Sequence, residues 1–188
     1  LVLSGRDVLG GAQTGTGKTA AFALPVLNRL SKETPPAGPR KPRALVLVPT
    51  RELAVQVADS FKTYGRHLKL NVTTLFGGVG MQPQVDQLRR GVDVLVACPG
   101  RLIDHLDRGS VKLDNVQVLV LDEADRMLDM GFLPAIKRIL NRLPKQRQSL
   151  LFSATFEPRI KALALEFLDN PQEVQVAAQN TIAQTIAH

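Results

Sequence analysis

The chain has 188 residues, 44% hydrophobic and 22% charged, which suits one domain with its own buried core and excludes a disordered, collagen-like or disulfide-framed chain. With 24 Lys and Arg against 17 Asp and Glu, the net charge is +7, a balance that favours a polyanionic partner, nucleic acid or anionic lipid. Cys98 is the one cysteine, which excludes an intramolecular disulfide and suits a reducing compartment. No apolar run approaches the ~20 residues of a membrane span. No charged-then-apolar leader opens the sequence, and the start at Leu1, almost inside a motif, predicts a piece of a longer chain.

Short apolar runs alternate with longer amphipathic stretches. In chain order the pattern predicts a strand at 7–11, a helix at 18–30, a strand at 44–48, a helix at 52–67, a strand at 72–76 and a helix at 82–90. There follow a strand at 92–97, a helix at 101–108, a strand at 116–121, a helix at 133–143, a strand at 149–152, a helix at 158–168 and a strand at 173–177. Several strands are Val- and Leu-rich without alternation, as strands covered on both faces are. The expected fold is therefore α/β, with a mostly parallel central sheet and helices on both faces. Right-handed crossovers place the strand-to-helix loops at one edge, where ligands of such sheets bind. Pro25 should kink or split the first helix, since it lacks an N–H and clashes one turn back. Residues 31–43, SKETPPAGPRKPR with four prolines, read as an exposed loop, either a solvated connector or an arm facing nucleic acid. The domain is expected to span 1–178, with 179–188 as the start of a linker.

Residues 12–19 read AQTGTGKT between the first strand and the first helix. The phosphate-loop pattern G-x-x-x-x-G-K-[ST] is met by Gly17, Lys18 and Thr19, with Ala12 in the first position. Gly15 and Gly17 permit backbone conformations that turn successive N–H groups inward, and the helix N-terminus adds its dipole. Lys18 can reach terminal phosphates, and Thr19 offers a hydroxyl to Mg²⁺. The same letters fit a dinucleotide fingerprint, but that reading needs an acid at the end of the second strand. That strand ends Val48-Pro49-Thr50, so the dinucleotide reading fails.

The apolar run at 116–121 leads into Asp122, Glu123, Ala124 and Asp125. An acid at the tip of such a strand is the second half of a phosphate-loop ATPase, with Asp122 on the Mg²⁺ shell. Glu123 can orient and deprotonate an attacking water. Helix capping by acids would explain any one of these residues, but not their place after the most apolar strand of a chain that also carries GKT.

Residues 122–125 spell DEAD. Together with AQTGTGKT, PTRELA at 49–54, Gly77-Gly78, Pro99-Gly100-Arg101 and Ser153-Ala154-Thr155, the chain resembles the N-terminal RecA-like domain of a DEAD-box RNA helicase. The wording LDEADRMLDMGF and LLFSAT is most similar to bacterial members of the RhlE type. The resemblance implies that Ala12, Gln13, Thr14, Gly15, Thr16, Gly17, Lys18 and Thr19 bind ATP phosphates. Thr19 and Asp122 would serve Mg²⁺, with Lys18 and Glu123 catalytic. Pro49, Thr50, Arg51, Gly77, Gly78, Pro99, Gly100 and Arg101 would line an RNA path, and Asp125, Ser153 and Thr155 would couple nucleotide state to RNA. Arg51 and Arg101 could equally be solvated helix-start arginines, and Ser153 and Thr155 turn or capping hydroxyls.

Contacts of this kind hold phosphates and 2′-hydroxyls, so RNA binding should be largely sequence-independent and salt-sensitive. Aromatic residues are only 4% and Trp is absent, which speaks against base stacking as the main mode. The resemblance further implies an adenine-recognising Gln segment upstream and a C-terminal RecA-like domain with arginine fingers downstream. The 188 residues alone are then expected to be monomeric, cytoplasmic, weak in nucleotide affinity and nearly inactive, with no membrane partner. An ATP-timed RNA clamp would need the same motifs as an unwinding enzyme. Cys98 stands where the family usually has Thr, so a hydroxyl hydrogen bond is expected to be lost there.

Overall fold

Short runs rich in Val and Leu form the centre of a parallel sheet. The structure, a computed structural model, describes residues 2–12 and 16–176. Among these, the chain runs through a short 3-10 turn at Val2–Ser4, then β1 (Val8–Ala12), α1 (Thr16–Lys32), β2 (Ala44–Leu47), α2 (Arg51–Tyr64), β3 (Val72–Leu75) and α3 (Met81–Arg89). It continues through β4 (Val94–Ala97), α4 (Pro99–Arg108), β5 (Val118–Leu121), α5 (Ala124–Asp129), α6 (Leu133–Leu140), β6 (Gln148–Ser153), α7 (Pro158–Phe167) and β7 (Gln172–Val176). The strand order is β3-β4-β2-β5-β6-β1-β7, and every pairing is parallel. The domain end at 177–178 and the linker at 179–188 fall outside the described residues.

Alternation along each strand sorts the core into two layers. Val46, Val96 and Val120 face α1 and α2, packing with Phe22, Val26, Leu30, Val57 and Phe61. Leu45, Leu95 and Leu119 face the opposite layer, with Leu102, Met127, Ile136, Ile139 and Leu163 from α4 to α7. Helices thus cover both faces, and the inner strands β4, β2, β5, β6 and β1 are buried whichever way their side chains point, while the edge strands β3 and β7 are only partly buried. At β1, Gly10 makes room for Phe152 of β6, whose ring would lie 2.6 Å from a Cβ there.

Three expectations need correction. Of the kink or split expected at Pro25, the split does not occur: α1 runs unbroken from Thr16 to Lys32. Phe22 and Ala23 before the proline, and Val26, Leu27 and Leu30 after it, are all buried, and anchoring of both halves to the sheet outweighs one lost hydrogen bond. The segment 31–43 is not wholly an exposed loop. Ser31 and Lys32 are helical, and Arg43 is buried with its Nη2 3.1 Å from Asp93 Oδ1. Arg40 and the Asn71 N–H also donate to Asp93, so the basic residues of this segment clamp the amino edge of the sheet. The third correction is α5, a six-residue helix not expected from the sequence that begins inside the acidic motif at Ala124 and is too short to display a helical period.

Candidate active site

The carboxyl ends of the parallel strands share one edge, and the motif residues collect there. β6 lies between β1 and β5, so the turn after β1 and the tip of β5 face each other across the end of β6. Lys18, in the first turns of α1, reaches across to Asp122: Nζ lies 2.8 Å from Oδ1, with the lysine side chain 6% exposed and the carboxylate fully buried. The Asp122 N–H donates to Leu47 O, which ties the acid to β2 beside it. The two meet as an ion pair, with both Asp122 oxygens buried. Burial pushes the Asp122 carboxyl up from its ordinary range, the Lys18 cation opposes that rise, and the neighbouring Glu123 charge adds to it.

Glu123 is the next residue, and its backbone is left-handed at φ 53° and ψ 52°. A non-glycine residue held there is strained by about 1–3 kcal/mol, a cost met where the surrounding structure dictates the conformation. The turn keeps Glu123 at the mouth of a cleft of about 670 Å³ that Lys18, Thr19, Thr50 and Arg126 also line. Arg126 Nη1 stands 3.9 Å from Glu123 Oε1.

Asp125 Oδ1 accepts a 3.4 Å hydrogen bond from the Ala154 N–H, which joins the acidic motif to the Ser153–Thr155 turn at the end of β6. Ser153 Oγ accepts from the Thr155 N–H at 3.3 Å. Thr155 Oγ1 is buried without a hydrogen-bond partner among the described residues.

The strands β3, β4 and β2 are adjacent, and the segments that follow them lie side by side. Pro49 is buried, and Thr50 caps α2 by accepting from the Leu53 N–H at 3.2 Å. Arg51 opens α2, exposed, with its guanidinium 4.8 Å from the centre of the Phe76 ring. Gly77, Gly78 and Gly100 are exposed, and a Cβ at any of them would meet nothing within 4 Å. Gly78 has φ +77°, the left-handed region that glycine enters without cost. Pro99 is buried at the start of α4. Arg101 points inward instead, donating through Nη1 to Val79 O at 3.0 Å and Gln84 Oε1 at 3.2 Å. Gln84 also meets His105, fully buried, at 2.8 Å. Neither Gln84 nor His105 is marked by the motifs; the available signal was a polar residue beside Val85 and Leu88 on the apolar face of α3.

Cys98 occupies the N-cap of α4 and makes no side-chain cap hydrogen bond, in line with the hydroxyl expected to be missing. Burial, with the Glu52 charge as a lesser cause, pushes its thiol up to about 11, which leaves it unreactive.

Gln13, Thr14 and Gly15 lie outside the described residues, as do the side chains of Thr16 and Gly17. Ala12 is buried at the end of β1, and Thr19 is partly exposed on α1. No group of three or more His, Cys, Asp or Glu able to hold a metal occurs among the described residues. The oxygens here still fit Mg²⁺, which takes one or two carboxylates and retains waters and phosphate oxygens: Asp122 holds two buried carboxylate oxygens against Lys18, and Lys18 and Thr19 both line the cleft. No described helix is long and apolar enough to cross a membrane.

A family model described as "DEAD/DEAH box helicase" matches residues 1–163. A relative named ATP-dependent RNA helicase DeaD, from Mycobacterium tuberculosis, is 49% identical over 187 residues, which is 99% of this chain and 32% of that protein. ATP-dependent RNA helicase RhlB from Pseudomonas syringae pv. tomato is 46% identical over 189 residues, 98% of this chain and 48% of the relative. Among solved structures, the yeast DEAD-box splicing factor Prp28 superposes with a TM-score of 0.86 at 35% identity, covering 93% of this chain and 42% of that one. The chain therefore spans about a third to a half of the proteins it matches.

Proposed function

The chain belongs to the DEAD/DEAH box helicase family, and from that premise we propose that it is the ATP- and RNA-binding core of an ATP-dependent RNA helicase. Its seven-stranded parallel sheet is the RecA-like helicase fold. In this reading the longer protein hydrolyses ATP to ADP and phosphate and remodels or unwinds short RNA duplexes. Residues 1–178 form the domain, and 179–188 lead toward a second RecA-like domain of the same chain. The setting is cytoplasmic, and the isolated domain is monomeric. The RhlE-type likeness rests on the wording of the acidic and Ser-Ala-Thr motifs alone.

The observation that carries the reading is the buried Lys18–Asp122 pair at the edge of a cleft that also holds Thr19 and Glu123. Residues 12–19 would hold the ATP phosphates, with Lys18 moving from Asp122 to the terminal phosphates. Thr19 and Asp122 would hold Mg²⁺, which when bound neutralises charge building on the phosphate oxygens. Glu123, kept at the cleft by its left-handed backbone, orients the attacking water and takes its proton. The bond between Asp125 and the Ala154 N–H, with Ser153 and Thr155 beside it, would carry the nucleotide state from the cleft toward the RNA path. Pro49, Thr50, Arg51, Gly77, Gly78, Pro99, Gly100 and Arg101 form that path, which follows the sugar-phosphate backbone. Arginine fingers from the second domain are worth roughly 10³–10⁵ in rate in related enzymes, so these 188 residues alone should turn over ATP very slowly.

The test is Glu123→Gln in the full-length protein. ATP binding should persist while turnover falls by at least about 100-fold; normal turnover would remove Glu123 as the base. A clamp whose ATP cycle only times RNA attachment uses the same residues, and comparing duplex unwinding with RNA dwell time separates it from an unwinding enzyme.

A further inference from the structure

The loop at 76–80, FGGVG, has three glycines in five residues and few side chains with which to hold itself. Two of its carbonyls are gripped from outside. Gln84 Nε2 donates to Phe76 O at 2.9 Å, and Arg101 Nη1 donates to Val79 O at 3.0 Å. The two grips are joined, because the same Nη1 donates to Gln84 Oε1 at 3.2 Å. His105 Nε2 meets that oxygen at 2.8 Å.

The amide orientation of Gln84 follows from these partners. Reversed, it would set its oxygen against the Phe76 carbonyl and its NH₂ against the guanidinium. His105 therefore carries its proton on Nε2 and donates to Gln84. Gln84 is 6% exposed and His105 is fully buried, so the Gln84–His105 bond is buried and counts for more than a surface one, while the Arg101–Val79 bond at the rim is exposed. Arg101 is only 12% exposed, and its Nε lies 3.6 Å from Asp104 Oδ2, which offsets its charge locally. Arg51, by contrast, is exposed over the Phe76 ring.

We propose that Gln84 is a positioning residue for RNA binding, the hub through which Arg101 and His105 hold the 76–80 loop in its binding conformation, and that Arg101 acts through this loop instead of gripping a phosphate itself. The proposal rests on the reading of this face as an RNA path. A loop this rich in glycine pays a large ordering cost on binding unless it is held beforehand. A neutral hub lowers that cost without adding an ionic contact to the RNA.

The two roles differ in their salt dependence. Losing a phosphate-contacting arginine lowers the slope of log affinity against log salt by about 0.7 on a single strand; losing a positioning group weakens binding at unchanged slope. The experiment titrates the full-length protein with a fluorescein-labelled single-stranded RNA across a salt series, for wild type, Gln84→Met, Arg101→Gln and Arg51→Ala. Met fills the Gln84 volume without hydrogen bonds. Gln84→Met should weaken RNA binding about tenfold, the order expected for the lost loop bonds, with the slope unchanged and the KM for ATP within about twofold. Arg101→Gln should also weaken binding at unchanged slope, while Arg51→Ala lowers the slope. Wild-type affinity in Gln84→Met, or a slope in Arg101→Gln reduced as in Arg51→Ala, would overturn the proposal. Should Gln84→Met fail to fold, the Arg101 slope decides alone. Absence of RNA binding by the wild type would instead overturn the functional reading beneath it.

Discussion

Replacing Lys18 with Met leaves Asp122 fully buried with no cation beside it. At 2.8 Å and an effective dielectric of about 20, the lost attraction is about 6 kcal/mol before desolvation is counted. Asp122 can escape the charge by taking a proton. From its ordinary value of 3.8, protonation costs 1.36 kcal/mol for each pH unit above it, about 4 kcal/mol at pH 7 and about 1.6 kcal/mol at pH 5. Those figures cap the loss, and the pH 7 cap agrees with the roughly 3–5 kcal/mol seen when one partner of a buried pair is removed. The sign follows from the direction of the shift. A carboxyl raised in the folded state contributes stability below its unfolded value and loses it as pH rises through the folded value. Losing Lys18 removes the cause that lowers the Asp122 value, so it climbs further, and the Lys18→Met deficit should grow as pH rises above the value Asp122 has beside Lys18, itself already above 3.8. The assay is urea unfolding followed by circular dichroism at pH 5 and pH 7, with Lys18→Met/Asp122→Asn beside the single variant. The expected deficit is at most about 4 kcal/mol at pH 7 and at most about 1.6 kcal/mol at pH 5, its pH dependence gone in the double variant. A deficit below about 1 kcal/mol at pH 7, or one equal at both pH values, would refute the reasoning.

Other perturbations test other parts of the structure. Cys98→Thr supplies the missing hydroxyl at an extended N-cap (φ −83°, ψ 139°) and should stabilise by about 1 kcal/mol, a rise of roughly 2–4 °C in Tm by calorimetry; an unchanged Tm would mean that the hydroxyl finds no N–H. His105 is buried neutral, its pKa lowered by burial and then by Arg101 and Arg108, so the folded state loses stability as pH falls below the ordinary 6.5. His105→Gln should flatten the Tm-against-pH curve between pH 6.5 and 5, and an equal slope in both proteins would count against this. Gly10→Ala drives a Cβ to 2.6 Å from the Phe152 ring and should cost about 1–3 kcal/mol in urea unfolding; a neutral result would show that the ring can move aside.

Local chemistry made much of this molecule legible in one dimension. The apolar pattern marked all seven strands to within a residue or two, most plainly β2, β4 and β5, because a strand buried on both faces has little choice of composition. GKT after one strand and DEAD after another pointed to phosphate and Mg²⁺ chemistry, since each motif carries its function in adjacent residues. What required three dimensions was how those pieces meet. The sequence does not show that β6 inserts between β1 and β5, nor that Lys18 and Asp122 are buried against each other. Pro25 within an unbroken α1, Arg43 turned into a buried pair and Arg101 spent on Gln84 and Val79 share one cause. A residue's local preference is worth about 1–3 kcal/mol, and partners from distant segments, brought together only by packing, outweigh it.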